Sequence, residues 1–64
     1  MCEVNAYLER DGKEELILEN VDIIEPENGQ VFIRNIFGEQ KVVNSRIKRI
    51  SLLIDHKIIL EKIN

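Results

Sequence analysis

The stretch E27-N28-G29-Q30-V31-F32-I33-R34-N35-I36-F37 decides how the rest of the chain is read. Asn28-Gly29 is a strong hairpin signal, because both residue types tolerate the positive φ that a tight two-residue turn needs. The run after it carries apolar groups on both faces at period two. Val31 and Ile33 share one side; Phe32 and Ile36 share the other. A strand with two apolar faces needs cover on both, which a small closed barrel or a dimer contact supplies.

Working outward, the segment before the turn, "EELILENVDIIEP" (residues 14–26), predicts two short strands. Leu16 and Leu18 are expected inward, with Ile17 outward or against a partner. The phase shifts at Glu19-Asn20, which reads as a bulge or a break, and Pro26 is expected to end the second piece. Ahead of it, "CEVNAYLER" (residues 2–10) alternates, with Cys2, Val4, Ala6 and Leu8 on one face and Glu3, Asn5, Tyr7 and Glu9 on the other. That is the period of a half-buried strand. Asp11-Gly12 turns it back.

After the central stretch, Gly38 supplies another turn and "KVVN" (residues 41–44) is a short strand. "SRIKRISLLIDH" (residues 45–56) is ambiguous. Ile47, Ile50 and Ile54 fit a helical face, whereas Ile50, Leu52 and Ile54 fit a strand. The β-branched content favours one turn over Asn44–Ile47 and then a strand. Asp55-His56-Lys57 turns the chain, and "IILEKI" closes it. Six or seven short strands with frequent turns predict an all-β fold, a small antiparallel barrel or rolled sheet, as a single domain over residues 1–64.

A chain of 64 residues buries a thin core and draws help from a disulfide, a metal or a partner chain. Its one cysteine excludes an internal disulfide. The leading residues have no basic region followed by an apolar run, and the longest apolar runs, such as Leu52–Ile54 and Ile58–Leu60, are far too short for a bilayer. A cytoplasmic protein with a reduced thiol is the expectation. The net charge of −3 is unevenly spread: residues 1–30 hold two basic and nine acidic side chains, residues 31–64 seven basic and three acidic. Arg46, Lys48 and Arg49 form the one basic cluster, and with Arg34 beside Phe32 they are the candidate nucleic-acid contacts. The acidic balance weighs against that partner.

Cys2 carries the chemistry. Methionine removal favours a small second residue, and it would place the Cys2 thiol beside a free α-amine. Together these close a five-membered chelate around a metal ion, and two chains supply four donors of mixed sulfur and nitrogen type. Such a set suits Ni(II) or Cu(II), or Zn(II) if the chains twist. Two other readings stay open: a small hydrophobe packed in line with Val4 and Ala6, which the residues alone favour, and a redox or nucleophilic thiol. His56, the one histidine, is expected on an exposed turn far along the chain from Cys2, with an approach to the partner chain's metal site as the lesser reading. Glu3 adjoins Cys2 and could tune its charge. Ser45 and Ser51 lack a catalytic setting, and the carboxylates near turns read as a solvated face, so no enzyme is expected.

The opening Met1-Cys2-Glu3-Val4, the middle "VDIIEPENGQVFIRNIFGEQKVV" (residues 21–43) and the closing "IDHKIILEK" (residues 54–62) resemble the CooT family over nearly the whole chain. The most specific element is cysteine directly after the initiator methionine in so short a chain. The resemblance implies a homodimer of SH3-like or Sm-like barrels that binds Ni(II) at the dimer interface through Cys2. One ion per dimer would be delivered to a nickel enzyme such as carbon monoxide dehydrogenase, or to another maturation protein. Through the Sm likeness it also implies an alternative, an RNA-binding module using Arg34, Arg46, Lys48 and Arg49. A metal-independent interaction domain is the third reading.

Overall fold

The computed structural model describes residues 3–63. Cys2, and with it the question of Met1 removal, lies outside them. Seven strands follow in order: β1 (Asn5–Arg10), β2 (Lys13–Leu18), β3 (Val21–Glu27), β4 (Gln30–Asn35), β5 (Gln40–Val43), β6 (Ser45–Ser51) and β7 (Lys57–Lys62). They pair into a four-stranded sheet, β2-β1-β7-β6, and a three-stranded sheet, β3-β4-β5. The all-β expectation holds. One pairing differs from the antiparallel expectation: β1 and β7 run parallel, in register Asn5↔Lys57 through Glu9↔Glu61.

The core lies between the sheets. Ala6, Leu8, Leu18, Ile58 and Leu60 from the larger sheet meet Val31 and Ile33 from the smaller, with Val4, Ile17, Val21, Ile24, Val43 and Ile47 packed at the margin. The alternation of β1 and of Val31/Ile33 is thereby realised as expected. β7 is central in its sheet, which is why Ile58, Ile59 and Leu60 are all buried and read as an unbroken apolar run.

The β1–β2 turn has positive φ at both Asp11 (53°) and Gly12 (77°), the backbone of a two-residue type I′ hairpin. Three expectations are corrected by bulges and edges. In β2, Ala6 opposes Leu18 but Tyr7 opposes Leu16, so Ile17 is the extra residue. The slip turns Leu16 outward, where it is exposed, and packs Ile17 against the core margin. In β6, Ile47 opposes Leu60 and Arg49 opposes Ile59, with Lys48 as the extra residue. Ile47 and Ile50 therefore both oppose inward residues at a spacing of three, which explains the helix-like pattern. The turn expected over Asn44–Ile47 is absent; the strand starts at Ser45, which is buried with its hydroxyl donating to the Val43 carbonyl at 3.2 Å. The strand ends at Ser51, so Leu52–Ile54 is loop. Pro26 sits within β3, one residue before its end, because β3 is an edge strand with an unpaired side.

Asn35 closes β4. It is buried, its Oδ1 accepts from the Phe37 and Glu39 backbone N–H groups at 3.0 and 2.9 Å, and its Nδ2 donates to Glu39 Oε1 at 2.6 Å. Asn35→Ala leaves two turn N–H groups unpaired and should lower stability by about 1–3 kcal/mol. Urea unfolding measures this, and a midpoint equal to that of the parent protein would refute it.

Candidate functional site

One end of the fold gathers four chain segments through backbone hydrogen bonds. Val4 accepts from the Val21 N–H at 2.7 Å, and the Asn5 N–H donates to the His56 carbonyl at 3.0 Å. Asn5 Oδ1 accepts from the Asn20 N–H at 3.1 Å, and the Asn20 carbonyl accepts from Ile36 at 3.0 Å. Asn20 takes φ +56°, a left-handed conformation that asparagine tolerates. It carries the chain from one sheet to the other at the expected phase break. The leading segment is therefore pinned at Val4 and Asn5 between the β2–β3 link and the loop before β7, and the β4–β5 turn joins through Asn20.

This end is apolar. Ile36 and Phe37 project from the β4–β5 turn, with Phe37 71% exposed. Leu53 and Ile54, in the loop before β7, are 90% and 86% exposed. An isolated exposed leucine is ordinary, but the adjacent Leu53 and Ile54, both nearly bare, make an apolar loop tip of the kind that partners cover.

His56 is far along the chain from the leading residues but not far in space. The parallel β1–β7 ladder sets its carbonyl against Asn5. Its backbone is left-handed (φ +53°), the residue is half-buried, and Nδ1 is fully buried with no hydrogen-bond partner among the described residues. Glu3 is exposed. Among the described residues no three of His, Cys, Asp and Glu cluster as a metal site.

The basic candidates are each matched to a carboxylate. Arg34 pairs with Asp22 at 3.1 Å, Arg46 with Glu61 at 2.6 Å, Lys48 with Glu9, and Arg49 with Asp55 at 2.7 Å. Hydrogen bonds to Asp22 and Glu9 raise the Arg34 and Lys48 pKa values above their ordinary ranges. Lys57 is raised in the same way by Glu14, and its Nζ lies 5.0 Å from the centre of the Tyr7 ring. Surface pairs of this kind add little stability, but they cancel local positive potential. Phe32 lies on the outer side of the smaller sheet, opposite Glu25 and Val42, and is half-buried. β6 thus brings Arg46, Lys48 and Arg49 together with acidic partners, and Arg34 stands apart on β4.

The sequence reading missed the asparagine junction and the exposed tips. Asparagines at strand ends were a legible signal, since that side chain bonds nearby backbone and accepts positive φ. The Leu52–Ile54 tip was hidden because its residues suit a strand.

The structure is a small two-sheet β domain whose leading segment is pinned at Val4 and Asn5. The family model for the CO dehydrogenase accessory protein CooT matches residues 1–61. The crystal structure of a CooT candidate from Carboxydothermus hydrogenoformans superposes with a TM-score of 0.86 at 43% identity, covering 98% of this chain and 100% of that one. No curated protein matches the chain. The chain belongs to the CooT family of CO dehydrogenase accessory proteins. It is an accessory protein in enzyme maturation and not itself an enzyme.

Proposed function

We propose that this protein binds Ni(II) through Cys2 at a homodimer interface in the cytoplasm and passes the ion to a nickel enzyme such as carbon monoxide dehydrogenase, or to a further maturation protein. The single observation that supports the reading is the anchoring of Asn5 to the carbonyl of His56, two residues after the exposed Leu53–Ile54 tip. Cys2 precedes the anchored Val4 by two residues, and the exposed Leu53–Ile54 tip offers a second copy apolar surface to cover. Covering it would bury the site and shield the sulfur from oxidation.

The donor chemistry fits the cargo. Each chain brings a thiolate and, with Met1 removed, an α-amine; metal binding favours the basic form of both. Nickel is not preferred over copper by such a set on affinity alone, so cellular supply decides which ion is carried. Membership in a CO dehydrogenase accessory family supports nickel as that ion. Among the described residues no helix is long and apolar enough to cross a membrane. The RNA-binding alternative has less support, because Arg34, Arg46, Lys48 and Arg49 all face carboxylates.

Native mass spectrometry of untagged protein, prepared without chelator and supplied with Ni(II), tests the reading. The expected species is a dimer with one ion and no Met1; a metal-free monomer would overturn it. The interface has its own test. Leu53→Asp with Ile54→Asp places two charges per chain in the patch and should convert the dimer to monomer at micromolar concentration, read by sedimentation. An unchanged dimer would move the interface elsewhere.

A further inference from the structure

We propose that the outer face of the smaller sheet, centred on Phe32 and bordered by Glu25 and Glu27, docks a partner protein through a lysine or arginine side chain of that partner. The family's accessory role calls for a protein partner. The chemistry of this one follows from the face itself and not from the Cys2 reading.

Strand pairing fixes which side chains share the face. Glu25 opposes Phe32, Phe32 opposes Val42, and Glu27 opposes Gln30; directly opposed residues point to the same side of a sheet. The other side of β4 carries Val31 and Ile33, buried in the core, so this set points outward. Together these residues line one shallow cleft of about 200 Å³. Phe32 is half-buried and Val42 is 61% exposed. Small-molecule sites run to roughly 300–1,000 Å³, so the cleft suits a single side chain better than a free ligand.

The two outer faces of the protein differ in charge. On the larger sheet Glu9, Glu14 and Glu61 are each met by a cation, from Lys48, Lys57 and Arg46 respectively. On the smaller sheet Asp22 is met by Arg34, but Glu25 and Glu27 have no ion-pair partner among the described residues. An aromatic ring beside two unmatched carboxylates complements a cation on an apolar stem. The carboxylates take the charge, the ring face takes the guanidinium or ammonium, and Val42 packs the methylenes.

A second copy does not complement this face. Two such faces joined about a twofold axis would set Glu25 and Glu27 against their own kind. The second copy's basic side chains at Arg46, Lys48, Arg49 and Lys57 are already held by its own carboxylates. Strand addition along β3 is also disfavoured, because Pro26 on that edge strand has no N–H to donate. The occupant is a different protein that presents a basic side chain among apolar ones.

The probe is a blocked pentapeptide alternating valine with arginine, titrated into the isotope-labelled full chain and followed by NMR. Amide shifts at Glu25, Glu27, Phe32 and Val42 are expected to move together, with an affinity that falls as salt rises. Glu25→Gln with Glu27→Gln should weaken binding about fivefold, as two exposed ion pairs would, while the urea midpoint stays that of the parent protein. Phe32→Leu keeps the apolar bulk and should weaken binding about threefold through the lost ring face. The same peptide with glutamate in place of arginine should not bind. Undiminished affinity in the double glutamine variant, shifts centred on other residues, or no shift at millimolar peptide would overturn the assignment. Shifts at these residues on concentrating the chain without peptide would assign the face to a second copy and overturn it too.

Discussion

Replacing Cys2 with serine is expected to abolish the proposed Ni(II) binding while the β fold survives, the largest functional effect expected from one substitution. Serine is nearly isosteric, but its hydroxyl stays protonated at neutral pH and is a hard, weak donor, whereas thiolate is soft and anionic. The loss should exceed the ~100-fold that removing an outer-shell partner costs a metal site, because here the ligand itself is gone. In a shared site both copies lose it together. Thiolate-to-nickel absorption bands should vanish, and titration calorimetry should register no binding in the micromolar range. Circular dichroism should remain that of the parent protein, since the pairing of β1 begins at Asn5. Undiminished nickel affinity in the serine variant would remove the sulfur from the site.

The largest structural effect is expected at Leu60. It is fully buried, lies on the central strand β7 between β1 and β6, and opposes Leu8 on one side and Ile47 on the other. Leu60→Ala leaves a cavity at the middle of the larger sheet and costs about 2–5 kcal/mol. A domain of 64 residues has roughly 3–10 kcal/mol in total. The variant should therefore be partly or wholly unfolded at 37 °C, with a lowered urea midpoint. Ligand linkage gives a second reading: saturating Ni(II) raises the midpoint of any variant whose site survives. A Leu60→Ala protein as stable as the parent would mean that the two sheets do not pack through this residue.

Much of the fold was legible because its signals are local. Asp11-Gly12 and Asn28-Gly29 name their turns, and the alternation of Ala6 with Leu8 and of Val31 with Ile33 marks the inward faces. Where the pattern misled, a bulge was the cause. One extra residue at Ile17 reversed the side on which Leu16 falls, and one at Lys48 gave Ile47 and Ile50 the spacing of a helix. A bulge is settled by what the strand is paired to, and the partner of a strand is not written in the strand. The candidate site was half legible. Cys2 stood out as the lone cysteine behind Met1, but His56 read as a remote turn because it lies 54 positions along the chain from Cys2.

By itself the amino-acid order determined a small all-β domain, its turns, its inward residues and the thiol at its head, since each depends on a few neighbouring residues. Only the tertiary structure decided that β1 and β7 run side by side in the same direction. A parallel pair needs a long crossover, here the whole of β2 through β6, so no local signal announces it. That one long-range pairing sets His56, at the end of the loop that carries Leu53 and Ile54, against Asn5 at the start of β1, 51 positions away along the chain.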